Sequence, residues 1–153
     1  MNEFMKEAID LSESNLTNKY GGPFGACVVK DNEIVGRGVN MVIKNNDPTA
    51  HAEVTAIRDA CNRLNTYDLS DCVLYTSCYP CPMCLSAVIW SNIKTVYYAN
   101  TKEDADDIGF RDEFIYDYLK SFDESVLKLN SMNREEAIKV FEQYKLDSNK
   151  VEY

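Results

Sequence analysis

The chain has 153 residues, 45% of them hydrophobic and 27% charged, which fits a single globular domain and excludes wholesale disorder. Its formal net charge is −9 and its lysines and arginines are scattered singly, so no nucleic-acid partner is expected, because such binding depends on basic contacts with phosphates. No apolar run approaches the roughly 20 residues of a membrane-spanning helix, and the acidic N-terminus has no signal-peptide core, so we expect a cytoplasmic protein without a membrane partner.

The first half of the chain predicts a helix, a β-hairpin and a second helix. Residues 3–19 have the period of an amphipathic helix, with Leu16 among the residues expected on its inner side. The stretches ACVVK and EIVGRGV flank the polar pair Asp31–Asn32 and predict a hairpin. MVIKNNDPT is then expected to be a loop, and residues 50–64 again have a helical pattern.

The second half predicts alternating strands and helices. DCVLYTS and KTVYYAN are the predicted strands, and CPMCLSAVIWSN between them predicts a helix that begins at Pro82. TKEDADD predicts a helical turn, RDEFIYDYLKS a short helix, and NREEAIKVFEQYKL a final helix with a capping box formed by Asn133 and Glu136. The alternation predicts one α/β domain over residues 1–153, with three layers (α/β/α) and a mixed central sheet flanked by helices.

Three potential metal ligands stand at the starts of two predicted helices. His51 is the only histidine and begins one helix, while Cys81 and Cys84 open another. Zinc prefers tetrahedral nitrogen and sulfur ligands, and catalytic sites use three protein ligands with water in the fourth position. The positive end of a helix also favours the thiolate form of cysteine. The sequence therefore predicts a site for Zn²⁺, although the same ligands would also accept cobalt or iron.

Other interpretations of these residues stay open. A Cys-x-x-Cys pair can be redox-active, and a lone histidine is usually a hydrogen-bonded core residue. The stronger alternative is a closed structural zinc with Cys78 as the fourth ligand. Cys78 falls at a predicted strand end and Pro80 separates it from the pair, so a buried, non-ligating thiol is favoured. The remaining cysteines, expected to be small buried hydrophobes, are Cys27, Cys61 and Cys72.

Glu53 favours a catalytic zinc over a structural one. A catalytic zinc lowers the pKa of its bound water toward roughly 7, and a base must then take and deliver the proton. Glu53 is too close to His51 along the chain for both to bind one ion comfortably, so we predict an acid/base role for Glu53. The stretches His51-Ala52-Glu53 and Pro80-Cys81-Pro82-Met83-Cys84 match the H-x-E…P-C-x-x-C signature of zinc-dependent nucleobase deaminases.

With these residues in place, the chain resembles the cytidine deaminase-like superfamily and, within it, the bacterial guanine deaminases. The similar stretches are GGPFGACVVKD, NDPTAHAEVTAIRDAC, LYTSC, PCPMC, GFRDEFIYDYL and the terminal KVEY. The tRNA adenosine deaminases share NDPTAHAE and PCPMC but lack the last two stretches and usually end in a basic helix. Here the final helix carries acidic residues instead, namely Glu135, Glu136 and Glu142.

The resemblance implies a cytidine deaminase-like fold and a zinc-dependent hydrolase that acts on a cyclic amidine C–N bond. Guanine would be converted to xanthine and ammonia in purine catabolism or salvage, at one Zn²⁺ per subunit with its bound water or hydroxide. Glu53 would carry the proton to the ring nitrogen, and Asp112 in the GF-x-D stretch would help handle the amino group. Without the resemblance, Asp112 could equally be a carboxylate that stabilises a helix start.

The resemblance also implies substrate contacts and a partner. Phe24 would stack on the purine, Asn40 would hydrogen-bond the base, and the backbone N–H of Ala52 would face the substrate. Taken alone, Phe24 would be a loop anchor and Asn40 a turn residue. The family forms homodimers that exchange C-terminal segments, here residues 131–153, so that Tyr153 would close the partner's pocket, whereas end residues are ordinarily frayed.

One departure keeps the substrate open. The family usually reads SCEPCPMC, but this chain has Tyr79 where the glutamate would stand. Deamination of guanosine or another amino-heterocycle is therefore the first alternative to guanine. A tRNA adenosine deaminase is the second, disfavoured by the acidic charge. A zinc-stabilised binding module without catalysis is the third, and it would unfold when the metal is removed.

Overall fold

The computed structural model describes all 153 residues and contains one four-stranded mixed sheet. The hairpin strands β1 (Gly25–Lys30) and β2 (Glu33–Val39) pair antiparallel, and β1 also pairs antiparallel with β3 (Val73–Cys78). The strand β4 (Thr95–Asn100) lies parallel to β3 at the edge, so the order is β2-β1-β3-β4. This arrangement confirms the predicted mixed sheet.

The hairpin turn depends on two residues that tolerate positive φ. Asp31 and Asn32 have φ values of 49° and 64°. Asn and Asp enter this left-handed region more readily than other non-glycine residues, and two successive positive φ values match the twist of the paired strands. The predicted hairpin is therefore confirmed, and its turn is formed by the polar pair on which the prediction depended.

The chain contains seven helices, and none is long and apolar enough to cross a membrane. They are α1 (Glu3–Asn18), α2 (Val42–Asn45), α3 (Ala52–Leu64), α4 (Pro82–Trp90), α5 (Lys102–Asp107), α6 (Glu113–Ser121) and α7 (Arg134–Leu146). The chain divides into two compact units, Met1–Ile115 and Tyr116–Tyr153. In the second unit, the hydroxyl of Tyr144 in α7 donates a hydrogen bond to the carbonyl of Val151 (2.9 Å).

Alternate residues of β1 enter two helical layers. Cys27 and Val29 belong to a buried cluster with Phe4 of α1, whereas Ala26 and Val28 belong to a larger cluster on the opposite face. That larger cluster adds residues of α3, α4, β3 and their connections: Ala52, Ala56, Ala60, Leu69, Cys72, Leu74, Val88 and Ile93. Because strand side chains point to the two faces in turn, the sheet is covered on both sides. The predicted three-layer α/β/α fold is confirmed.

Helix α3 lies unusually close to β2, and glycine makes this possible. A Cβ atom on Gly38 would lie 2.2 Å from the carbonyl oxygen of Ala52, which no packed structure allows. The contact fixes the first turn of α3 against the sheet. His51 and Glu53 lie at this end of α3, so the glycine in β2 helps to position both.

Three local predictions are wrong. Leu16 is 59% exposed, whereas its neighbour Asn15 is buried at 2% exposure. The expected loop after β2 contains the single helical turn α2, in which Ile43 and Lys44 both donate to the carbonyl of Tyr20 (3.0 Å each). Asn133 lies before α7 with φ 53°, and its side chain makes no capping bond. A capping side chain needs an extended backbone, which the left-handed conformation of Asn133 does not provide.

Candidate active site

Two helix N-termini bring the predicted metal ligands together. His51 is the N-cap residue of α3, Cys81 is the N-cap residue of α4, and Cys84 lies in the first turn of α4. Both cap residues have extended backbones, and neither side chain makes a capping hydrogen bond, so both side chains are available as ligands. His51 Nδ1 is 3.5 Å from each of the two Sγ atoms. All three ligand atoms lie within 4.8 Å of one another.

These distances fit a tetrahedral zinc. Zn–N bonds of about 2.0–2.1 Å and Zn–S bonds of about 2.3 Å, at a tetrahedral angle, separate nitrogen from sulfur by about 3.5 Å. The observed separations between His51 Nδ1 and the sulfurs of Cys81 and Cys84 are both 3.5 Å. The one-nitrogen, two-sulfur set also has the softness that zinc prefers. The chain therefore presents three ligands with room for a fourth, non-protein one.

Cys78 does not join the three ligands. It is buried, and its Sγ donates to the carbonyl oxygen of Thr101 (3.5 Å). Burial raises the pKa of the Cys78 thiol to about 11. Its sulfur is not among the ligand atoms that lie within 4.8 Å of one another, which belong to His51, Cys81 and Cys84. The geometry therefore disfavours the closed four-ligand structural site.

The charges of the three ligands also suit a cation. A hydrogen bond from Cys84 lowers the pKa of the Cys81 thiol, and the same bond, with burial, raises the pKa of Cys84. The hydrogen bond between His51 and Cys81 raises the pKa of the His51 imidazole. The paired thiols therefore favour one negative charge between them, and a bound cation would displace the remaining proton, because metal ligation needs both sulfurs as thiolates.

Glu53 lies in the first turn of α3 and is only 6% exposed. Its Oε1 accepts a hydrogen bond from Thr76 Oγ1 (3.2 Å), and its Oε2 accepts one from Cys84 Sγ (3.3 Å). Burial raises the pKa of the Glu53 carboxyl, because desolvation disfavours the charged form. A buried carboxyl with a raised pKa beside metal ligands is a candidate for proton transfer. Thr76 in β3, which orients it, was not predicted from the sequence.

A cavity of about 260 Å³ lies beside the ligands. His51 and Cys81 line it, while Cys84 is fully buried behind them. The structure brings five predicted substrate or acid/base residues to the wall of this one cavity: Phe24, Asn40, Ala52, Glu53 and Asp112. Concave sites with convergent polar groups and perturbed titration are the usual places for substrate binding. The cavity is therefore the candidate active site.

Two aromatic rings form part of the cavity wall. The rings of Phe24 and Phe110 meet edge to face, with centroids 4.8 Å apart and planes at 88°. Such pairs hold each other in a defined orientation. Phe110 was not predicted as a site residue, although it lies in the same GF-x-D stretch as Asp112.

Asn40 and Asp112 supply polar groups to the cavity. Asn40 Oδ1 accepts a hydrogen bond from the backbone N–H of Val42 (3.1 Å), which fixes the amide so that Nδ2 remains as a donor. Burial raises the pKa of the Asp112 carboxyl, and the nearby negative charge of Cys81 adds to this. The cavity wall therefore offers an amide donor and a partly buried carboxyl, which can both hydrogen-bond a polar ligand.

Tyr79 occupies the position that departs from the family pattern. It lines the cavity, and its ring meets the ring of Tyr98 edge-on at 4.9 Å. Lys102 Nζ lies 5.2 Å from the centre of the Tyr79 ring. The aromatic residue therefore packs into the surrounding structure instead of adding a negative charge beside the metal ligands. Tyr153, which is 79% exposed, belongs to the second unit, and its predicted role stays a prediction.

Comparisons with known proteins agree with this chemistry. The family model described as "Cytidine and deoxycytidylate deaminase zinc-binding region" matches residues 1–100. The chain is 46% identical to the guanine deaminase of Bacillus subtilis over 98% of this chain and 97% of that protein. The X-ray structure of guanine deaminase from Bacillus subtilis superposes with a TM-score of 0.92 over 100% of this chain and 99% of that one. The tRNA-specific adenosine deaminase of Aquifex aeolicus is 47% identical over only 50% of this chain and 51% of that protein.

Proposed function

The chain belongs to the zinc-binding family of cytidine and deoxycytidylate deaminases, and we propose that it is a guanine deaminase, which hydrolyses guanine to xanthine and ammonia in purine catabolism or salvage. The observation that carries the proposal is the similarity to a guanine deaminase over 98% of the chain, compared with 50% for the tRNA-specific enzyme. The cavity supports the same conclusion, because its walls offer one amide donor and two carboxyl groups beside the ligands.

Zinc is the cofactor; His51, Cys81 and Cys84 would hold it, and when bound it would supply Lewis-acid activation of water. Glu53 would take a proton from the attacking water; its buried carboxyl supports this role, because Oε2 lies 3.3 Å from the sulfur of the ligand Cys84. The same carboxyl then gives the proton to the ring nitrogen of guanine. The reaction consumes one water, breaks the bond between C2 and the exocyclic nitrogen, and releases ammonia.

The remaining cavity residues are assigned to binding and to the leaving group. Phe24 stacks on the purine, and Asn40 Nδ2 donates to an acceptor on its edge, which the 6-oxo group and ring nitrogens of guanine provide. Ala52 begins α3, so its backbone N–H lacks a helical acceptor and can bind the base. Asp112, with its raised pKa, can give a proton to the departing amine.

We also propose that the protein is cytoplasmic and dimeric. All six cysteines are free thiols, as in proteins of the reducing cytoplasm. We assign the chain to a homodimer in which residues 131–153 exchange and Tyr153 closes the partner's cavity. The second unit supports this because several large apolar side chains are exposed there, which is unusual in a monomer. They include Val140, Phe141, Leu146 and Val151. Light scattering of the purified protein would show twice the chain mass if the assignment holds and a single chain mass if it fails.

Ammonia release by the purified, zinc-loaded protein tests the substrate. Guanine, guanosine, adenine, cytosine and cytidine are supplied in parallel, and a signal selective for guanine is expected. Turnover of guanosine instead would keep the zinc and Glu53 chemistry and move the substrate, with Tyr79 the first residue to examine. No release from any of the five, by a folded protein containing zinc, would overturn the proposed function.

A further inference from the structure

We propose that Asn15 is a positioning residue for purine binding, because its buried side-chain amide joins the two chain segments that carry Phe24 and Asn40. Asn15 lies near the end of α1, which the mechanism does not otherwise use. It does not line the cavity or touch the metal ligands. The link to purine binding rests on the proposed function, whereas the link between the segments is visible in the structure itself.

Both N–H groups of the Asn15 amide are used. Nδ2 donates to the carbonyl oxygen of Gly22 (3.0 Å) and to the carbonyl oxygen of Asn40 (2.8 Å). Gly22 precedes Phe24 in the break after α1, and Asn40 directly follows β2, so the two acceptors lie on segments far apart in sequence. One planar amide thereby sets the distance between them.

The bonds continue to the residues assigned to the base. The backbone N–H of Phe24 donates to the carbonyl of Gly22 (2.9 Å), and the N–H of Asn40 donates to the carbonyl of Phe24 (3.1 Å). With the two bonds from Asn15, these close a ring of hydrogen bonds through Gly22, Phe24 and Asn40. Movement of either segment would therefore break at least one bond in the ring.

The side chain of Asn40 has little freedom within this ring. A Cβ atom on Gly21 would lie 2.0 Å from Asn40 Oδ1, so the amide is packed directly against the glycine backbone. Its Oδ1 is also held by the N–H of Val42 (3.1 Å). Once Asn15 fixes the backbone of Asn40, the direction of its free Nδ2 donor is therefore fixed as well.

Asn15 is an unfavourable choice for packing alone. It is 2% exposed, and its Oδ1 accepts no hydrogen bond from the protein. Burying an unpaired acceptor costs free energy that an apolar side chain on the inner face of α1 would avoid. The contribution of this residue is therefore its two donated hydrogen bonds, which act on the segments around the cavity.

The test compares Asn15→Ala with Ser14→Ala. Ser14 is adjacent on α1, and its Oγ also donates to a backbone carbonyl, that of Leu11 (2.6 Å), but within the helix. Amide hydrogen exchange of the substrate-free proteins is measured first, and faster exchange at Phe24 and Asn40 is expected only in Asn15→Ala. Thermal melting monitors the fold, and Asn15→Ser, which keeps one donor, replaces the alanine variant if that variant does not fold.

Steady-state kinetics with guanine complete the test. We expect Asn15→Ala to raise KM by about 3- to 10-fold, the effect of losing about one hydrogen bond between Asn40 and the base, with kcat changed less than about twofold. Ser14→Ala should leave both constants unchanged. Unaltered exchange at Phe24 and Asn40, or equal kinetic constants for the two variants, would overturn the positioning role. A wild-type protein that does not turn over guanine would instead contradict the proposed function, while the exchange result would still decide whether Asn15 fixes the two segments.

Discussion

Replacing Glu53 with glutamine separates proton transfer from metal binding. Glutamine keeps the shape of the side chain. Its amide oxygen can still accept the hydrogen bond from Thr76 Oγ1, and its amide N–H can donate to the sulfur of Cys84. It cannot take up or release a proton at neutral pH. General acid–base catalysis contributes about 10²- to 10⁴-fold, which corresponds to about 2.7–5.4 kcal/mol of activation free energy. We therefore expect kcat to fall by at least about 10²-fold.

The fold and the metal site should survive the same change. Burial already raises the pKa of Glu53, so a neutral amide removes a desolvation cost instead of adding one. The melting temperature should shift by less than about 4 °C, roughly 1 kcal/mol for a chain of this size. Zinc content, measured by atomic emission on the same sample, should equal that of the wild type.

Xanthine formation followed by chromatography provides the assay, with Glu33→Gln as the control. Glu33 is exposed and lies opposite Lys30 in the strand pairing, at the turn end of the hairpin. The cavity residue Asn40 follows the other end of β2, so Glu33 is remote from the cavity. The control should keep wild-type kcat. If Glu53→Gln kept its zinc and retained kcat within tenfold, the acid/base role would be refuted. Loss of zinc would instead contradict the separation of proton transfer from metal binding.

Three further changes give expected outcomes. Gly38→Ala should lower the free energy of unfolding by about 1–3 kcal/mol in a denaturant titration, because the new Cβ would lie 2.2 Å from the carbonyl of Ala52; an unchanged midpoint would contradict the close approach. Tyr79→Glu should lose its edge-on contact with Tyr98, about 0.5–1.5 kcal/mol by thermal melting, yet keep zinc and guanine turnover. Burial raises the pKa of Cys27 to about 12 from an ordinary 9.0, so the neutral thiol stabilises the fold below pH 9, and this is lost as pH rises toward 12. Cys27→Val should therefore lose less thermal stability than the wild type between pH 8 and 11, and equal losses would refute this.

The fold was largely predictable because its signals are local. The hairpin depends on Asp31 and Asn32, and the start of α4 on Pro82, each within a few residues of the feature that it determines. The inner face of α1 was not predictable in the same way. The helical period alone is compatible with either Leu16 or Asn15 on the inner face. Asn15 is the inward residue because its side chain donates to the distant carbonyls of Gly22 and Asn40.

In the candidate site, too, the residues that lie in local motifs were predicted and those brought in from distant parts of the chain were not. His51, Cys81 and Glu53 were identified because each stands at a helix start, within a short motif whose spacing already limits its chemistry. Thr76 and Phe110 were missed, since neither has a motif of its own. Thr76 reaches Glu53 across 23 positions of sequence, and Phe110 contacts a ring in the break after α1. Such roles depend on how the sheet assembles, which residue patterns do not record.

Xanthine formation measured against zinc occupancy tests the central claim most directly. The protein is stripped of metal by a chelator and reloaded in steps, with zinc per chain and the initial rate on guanine measured on each sample. We predict a rate that rises in proportion to zinc and reaches its maximum at one ion per chain, while circular dichroism shows the helices retained throughout. A rate independent of zinc, or no xanthine at full occupancy in a folded protein, would contradict zinc-dependent deamination of guanine at the site formed by His51, Cys81 and Cys84.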